Sequence, residues 1–281
     1  MQRRRPPGPA LVLLGCLSAS AVSSGQAIPW VAYYSDAAPP EAFSAYRIVV
    51  LDSHSHPPLV PLSDRGKTLL AYLSLGEVEE HRPYFPAVKA EGILLHENRA
   101  WRGSYFVDLR DPRWTARVIE QLIPDVLHRG FDGLFLDTLD NAADLERSDP
   151  ARYRGMTAAA TRLVRTIRLH YPTIKIMMNR AYEILPDVEE YIDIELGESI
   201  FADYDFETKR YRLVKRAIYR EQVRLLKAAQ ERRPDLEVFT LDYWDPADTA
   251  GVARIYREQR ANGFEPYVAT LELDRIVREP R

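Results

Sequence analysis

Two short segments of this chain end in acids, and their types and spacing suggest a reaction. Residues 130–140 read GFDGLFLDTLD: a turn, an apolar run at 134–136, then Asp137 and Asp140. Residues 192–199 read IDIELGES and carry Glu195 and Glu198. A buried strand that emits carboxylates at its C-terminal end is how a barrel enzyme builds a catalytic centre. Two such strands on one rim supply a pair of carboxyls, the equipment for cleaving a glycosidic bond. Asp137 and Glu198 are the expected catalytic pair. Glu198 serves as general acid/base, its proton favoured by neighbouring acids and partial burial. Asp137 serves as nucleophile, or as the base for water. That choice rests on carboxyl separation, about 5 Å for retention and roughly 6.5–9.5 Å for inversion.

The neighbouring acids have plainer roles. Asp140 lies three residues beyond Asp137, where capping or substrate contact is expected. Glu195 sits within its strand and needs a partner, Lys175 or Arg180, or a substrate, because burying a lone charge is costly. Asp132-Gly133 precedes the strand and reads as turn chemistry. Asp52, His54 and His56 form D-S-H-S-H, and an H-x-H pair can bind metal. With only six histidines in the chain, and none at other strand ends, the expectation is no metal and no cofactor. The chain has no G-x-S-x-G, no Gly-rich phosphate loop and no H-E-x-x-H. Tyr33, Tyr34, Tyr72, Tyr84, Trp101, Tyr182, Tyr243 and Trp244 crowd the same rim, where flat rings suit a sugar face.

The elements that must position these groups alternate strand and helix, which points to a parallel sheet. Strands are predicted at 30–34, 47–52, 68–74, 133–137, 174–179, 191–196, 237–242 and 265–269. Eight strands with intervening helices close as a (β/α)₈ TIM barrel, here one domain over 28–281. Asp111-Pro112 opens a helix to about 128, and Asp149-Pro150 another to about 170. Further helices are predicted at 207–232 and 247–261, the last stopped by Asn262-Gly263. The long segment 75–108 holds Glu77, Glu79, Glu80, His81, Tyr84, Trp101 and Tyr105 and is read as a wall of the cleft.

Residues 1–27 read as a signal peptide: Arg3, Arg4 and Arg5, a short apolar stretch at 10–21, then Ser, Ala and Gly. The stretch is too short to span a bilayer, and no other is long and apolar enough. The chain is expected to be exported, to the periplasm or beyond. Cys16, the one cysteine, lies in Leu-Leu-Gly-Cys, which resembles a lipobox. Lipid anchoring through Cys16 and ordinary cleavage further on are the two readings. The 281 residues carry a formal charge of −3, from 38 basic and 41 acidic side chains. Loss of the leader removes three arginines and leaves about −6. That balance disfavours nucleic acid and suits a neutral or cationic ligand.

Seven segments together resemble a known family: WVAYYSD, LLAYLSLGE, YFVDLRDP, GFDGLFLDTLD, MMNRAYEILPD, YIDIELGESIF and EPYVATLELD. In this order they resemble the glycoside-hydrolase family of endo-α-1,4-polygalactosaminidases and its bacterial relatives, including the hydrolase domain linked to Pel exopolysaccharide. The resemblance covers most of the chain after the leader. It implies a cofactor-free (β/α)₈ barrel, catalytic acids at Asp137 and Glu198, and a substrate-binding site at Asn179. Tyr33-Tyr34 stand where many members carry Trp and Gln. Substrate contacts are expected at Tyr33, Asp36, Tyr72, Glu77, Asp140, Asn179, Glu195, Tyr243 and Trp244. The expected partner is a galactosamine or N-acetylgalactosamine polymer, cleaved internally at α-1,4 linkages. One alternative is a chitinase-like barrel, but its D-G-x-D-x-D-x-E motif is broken here by Phe135 and Leu139. The other is a non-catalytic carbohydrate-binding barrel, which would not need both Asp137 and Glu198.

Overall fold

Near-continuous runs of Val, Ile and Leu, such as IVVLD and TLLAYLS, bury both faces of a strand and suit a parallel sheet covered by helices. The computed structural model describes residues 29–280. The expected leader and Cys16 lie outside these residues. Eight strands form one sheet: β1 (Trp30–Tyr33), β2 (Ile48–Asp52), β3 (Thr68–Ser74), β4 (Gly133–Asp137), β5 (Lys175–Asn179), β6 (Ile194–Glu198), β7 (Glu237–Tyr243) and β8 (Glu265–Ala269). Each pairs in parallel with the next in sequence, the order of a TIM barrel. At the seam, the Trp30 indole donates to the Glu265 carbonyl over 3.0 Å and its ring meets Tyr267.

Seven of the eight predicted strands fall within a residue or so of their observed bounds. The exception is β6, predicted at 191–196, where Glu189–Tyr191 is instead a short 3₁₀ turn. Glu198 is thereby the last residue of the strand rather than a loop residue.

Two predicted helices begin late. Asp149 ends the helix Asn141–Ser148, and the next one, Met156–His170, starts seven residues later. Its first amides, on Gly155 and Thr157, are capped by the Glu146 carboxylate, an acceptor from the preceding helix. The segment predicted as helix from 207 is a hairpin, Ala202–Asp205 with Arg210–Leu213, and the helix runs only from Arg216 to Arg232. The Asp111 cap holds as expected, accepting from the Arg113 amide. Beyond it the helix continues through one wider turn to Gly130, whose φ of 110° ends it. Among the described residues no helix is long and apolar enough to cross a membrane.

Two additions stand on the C-terminal rim. One is a three-stranded antiparallel sheet after β3, formed by Glu77–Glu79, Leu94–Glu97 and Ser104–Val107. The other is the 202–213 hairpin after β6. Between them lies a cleft of about 940 Å³.

Candidate active site

Asp137, Asn179 and Glu198 are the last residues of β4, β5 and β6. Asn179 joins the other two: its Nδ2 donates to Asp137 Oδ1 over 2.9 Å and to Glu198 Oε2 over 2.7 Å. Bound to one nitrogen, these two oxygens can be no more than about 5.6 Å apart. The Tyr243 phenol donates to Glu198 Oε1 over 2.5 Å, and Tyr72 lines the cleft together with Asp137.

The strand ends are sharply bent. Each of the three residues is followed at once by a non-glycine residue with positive φ: Thr138 at 64°, Arg180 at 54° with Ala181 at 49°, and Ser199 at 52°. Such conformations are uncommon and persist only where the surroundings over-determine them, typically at functional sites. The bend at Thr138 is held by its hydroxyl, which accepts from the Gly76 amide over 2.8 Å. A Cβ on Gly76 would come within 2.1 Å of the Thr138 carbonyl, so only glycine fits. Beyond Glu198, the Phe201 and Ala202 amides donate to the buried Asp242 carboxylate.

Burial first, and then the charge of Glu198, push the Asp137 carboxyl up to about 7. The raised carboxyl is thus Asp137, where the sequence suggested Glu198. Asp137 thus keeps its proton across the mildly acidic range. Burial and then Asp137 hold the Tyr72 phenol well above its ordinary range; burial and then Glu198 do the same for Tyr243. Both phenols therefore stay protonated as donors.

The cleft gathers Tyr72, Glu77, Asp140, Asn179 and Tyr243 around the pair. It does not gather every residue expected there. Tyr33 turns outward, its ring on Phe43 and its hydroxyl accepting from the Ala38 amide. Side chains alternate along a strand, so the next residue, Tyr34, faces the cleft and packs on Tyr72 at 5.0 Å. By the same alternation Trp244 leaves the cleft that Tyr243 lines, and its indole donates to Asp248. Asp36 is exposed and outside the lining.

Glu195 is the clearest departure. It lies three residues before Glu198, hence on the opposite face of β6, toward the helices. It is fully buried, and neither carboxylate oxygen has a hydrogen-bond partner. The expected partners are engaged elsewhere, Lys175 with Glu237 and Arg180 with Asp140. Glu77 does reach the cleft wall, but its oxygens already accept from Asn98, Ser104 and Asn141. That arrangement ties the accessory sheet to the start of the helix Asn141–Ser148 and leaves Glu77 little capacity for a ligand.

The cleft also contains groups not expected from the sequence. Arg82, buried and packed over Tyr72, pairs with Asp52 and Glu79, each at 2.8 Å. Asp52 in turn accepts the His54 and Ser55 amides. The histidines of D-S-H-S-H separate: His56 packs on Phe131, while His54 faces a smaller cavity of about 340 Å³ with Tyr84 and Gln121. Ten carboxylates line the main cleft against three arginines.

A parallel eight-stranded barrel with paired carboxyls at the ends of β4 and β6 defines a glycoside-hydrolase barrel. The chain belongs to glycoside-hydrolase family GH114, whose sequence model matches residues 18–281. An uncharacterized protein of Deinococcus radiodurans is 30% identical over 222 residues, 76% of this chain and 67% of that protein. The glycoside hydrolase domain of PelA from Pseudomonas aeruginosa superposes with a TM-score of 0.78 at 26% identity, covering 90% of this chain and 99% of that one. Aspergillus fumigatus Ega3, solved in complex with galactosamine, shares the fold: TM-score 0.68, 15% identity, 90% of this chain and 95% of that one.

Proposed function

We propose that this glycoside hydrolase cleaves internal α-1,4 linkages of a galactosamine or N-acetylgalactosamine-type polysaccharide, with retention of configuration. The observation that carries the reading is the single Asn179 nitrogen shared by Asp137 and Glu198. A separation of no more than about 5.6 Å is shorter than the roughly 6.5–9.5 Å that an inverting enzyme needs for its water, and it favours the retaining arrangement. For this step the proton that Asp137 holds at rest passes to Glu198, which gives it to the leaving oxygen while the ionised Asp137 attacks the anomeric carbon. The glycosyl–Asp137 ester is then hydrolysed by a water that Glu198 deprotonates, which restores the starting protons. Tyr243 holds the Glu198 carboxylate in place. Asn179 can release either carboxylate to meet a sugar hydroxyl.

Three lines support an amino-sugar polymer: the family, the acid-rich cleft lining, and the galactosamine bound by Ega3. The basic, apolar leader supports export, either with cleavage near residue 28 or with cleavage before Cys16 and lipid anchoring through it.

The test uses purified protein on galactosamine, N-acetylgalactosamine and glucosamine polymers. Products are read by mass, and the first-formed anomer by NMR. The expected result is α-anomeric oligomers from a galactosamine-type polymer. Asp137→Asn and Glu198→Gln should each lose at least about 10²–10⁴-fold, the usual worth of one acid–base group. Full activity in either variant, or β-anomeric first products, would overturn the mechanism.

A further inference from the structure

We infer that Trp101 and Phe206 form a clasp over the cleft that a polymer must open sideways to reach the catalytic pair. This inference rests on the reading of the cleft as a polysaccharide site. Trp101 is at the turn between the strands Leu94–Glu97 and Ser104–Val107, on the arm after β3. Phe206 is at the turn of the 202–213 hairpin, on the arm after β6. β3 and β6 stand three places apart in an eight-stranded ring, so the arms rise from well-separated sides of the mouth. Their tips nonetheless touch, with the two rings edge to face at 5.3 Å. Both rings line the cleft that holds Asp137 and Glu198.

The arms are fixed at their roots. Val107 donates its amide to the Gly76 carbonyl, and Glu77 is hydrogen-bonded to Asn98, Ser104 and Asn141. The hairpin is held at its base by Asp242 and by the Val214 amide on the Phe201 carbonyl. The tips are another matter. Trp101 is 52% exposed and Phe206 53%, although large apolar rings are ordinarily covered. A lone edge-to-face pair between exposed rings is a weak contact, easily parted. Behind Phe206, Tyr204 meets it at 5.4 Å and Tyr211 at 5.3 Å from Tyr204, which stiffens the hairpin arm. Opening is therefore expected at the Trp101–Phe206 contact.

A chain cut at internal linkages presents no free end to the cleft. With the clasp shut it could only thread, whereas with the clasp parted it can enter from the side. Closing again would lay two aromatic faces against the sugars. Trp101 and Phe206 thus set the size class of substrate, apart from the chemistry at Asp137 and Glu198.

The clasp can be locked. The natural chain has one cysteine, Cys16, in the segment read as leader. Trp101→Cys with Phe206→Cys, in the sequence from residue 28, gives two thiols that a short bis-maleimide can bridge. Association of a long α-1,4-galactosamine polymer and of a labelled galactosamine trisaccharide is followed on this protein in a Glu198→Gln background. Bridging should slow polymer association by about tenfold or more while leaving the trisaccharide within about twofold, a difference that mass action at one site would not give. Without the bridge, Trp101→Ala and Phe206→Ala should each weaken polymer binding, and the double variant more than either, because two aromatic faces against the sugars are then lost. Equal slowing of polymer and trisaccharide, or no slowing, overturns the clasp. If the parent protein hydrolyses polymer while the bridged one binds it just as fast, only the clasp is lost. If neither form binds polymer and the parent cleaves none, the substrate reading falls and takes the clasp with it.

Discussion

Tyr243, which ends β7, donates its phenolic hydrogen to Glu198, which ends the neighbouring β6, over 2.5 Å. The contact fixes one carboxylate oxygen of Glu198 while Asn179 fixes the other. Hydrogen bonds to a charged group are worth about 1.5–3 kcal/mol. Tyr243→Phe keeps the ring and removes the donor. Its kcat should fall by about tenfold to a hundredfold, with KM changed less, and the pH–rate profile should move. Steady-state kinetics across pH 4–9 would show it, and an unchanged kcat would remove Tyr243 from the catalytic apparatus.

Asp137 carries a cost that grows with pH. Its carboxyl titrates near 7 in the folded protein, raised by burial and by Glu198, against an ordinary value near 3.8. A raised folded value means that stability is fully present below the ordinary carboxyl range and is lost as pH rises through about 7. Asp137→Asn removes the titration. It should therefore melt at about the wild-type temperature at pH 4 and several degrees higher at pH 8, at roughly 2–4 °C per kcal/mol for a domain of this size. A variant melting no higher than wild type at pH 8 would contradict the raised titration of the buried Asp137 carboxyl. The same variant should be inactive, which is the familiar exchange of stability for function.

How legible all this was in the sequence depended on period two. The strand ends that carry Asp137 and Glu198 showed as apolar runs followed by acids, and the barrel followed from their number and order. What misled was the face of each strand. Glu195 and Glu198 differ by an odd count, as do Tyr33 and Tyr34, and Tyr243 and Trp244; one member of each pair had to point away from the cleft. Strict alternation would have separated them, but it required the end of β6, which a run of acids and a short 3₁₀ turn blurred. The 202–213 hairpin had its own signal in Tyr204, Phe206 and Tyr211 around a polar turn, obscured by charges that also suit a helix. Asn179 carries no such signal: an asparagine after KIMM says nothing about the two carboxylates it will join. Nor could local pattern reveal that Trp101 and Phe206, 105 positions apart, would meet.

Glu195 is expected to be dispensable for activity and costly for stability. It is buried against the helix layer with both oxygens unpartnered, and burial holds its carboxyl well above the ordinary range. An unsatisfied buried polar group costs about 1–3 kcal/mol. Because the folded value is raised, the wild type loses stability as pH climbs above the ordinary carboxyl range. Glu195→Leu should therefore raise the melting temperature, more at pH 8 than at pH 4, and leave kcat and KM as they were. A destabilised or inactive Glu195→Leu protein would show that the carboxyl has a partner or a role in the working enzyme.

The charge of the cleft makes the last prediction. Of its lining side chains, ten are carboxylates and three are arginines. Arg82 is neutralised by Asp52 and Glu79, and Arg180 faces Asp140, so little positive charge is left to offset the rest. A concave site lined by one sign of charge concentrates ions of the opposite sign. A partly deacetylated galactosamine polymer is cationic near neutral pH, whereas a polyuronate is anionic. Affinity for the cationic chain should fall as salt rises, because the screening length shrinks from about 30 Å at 0.01 M to roughly 10 Å at 0.1 M. Binding of both polymers to the Glu198→Gln protein at the two ionic strengths checks this by titration calorimetry. The expected order is cationic polymer first, with affinity several-fold weaker at 0.1 M, and polyuronate bound weakly at either. Affinity indifferent to salt would mean that the acids are individually solvated and exert no common field. A preference for polyuronate would reject a cationic substrate altogether.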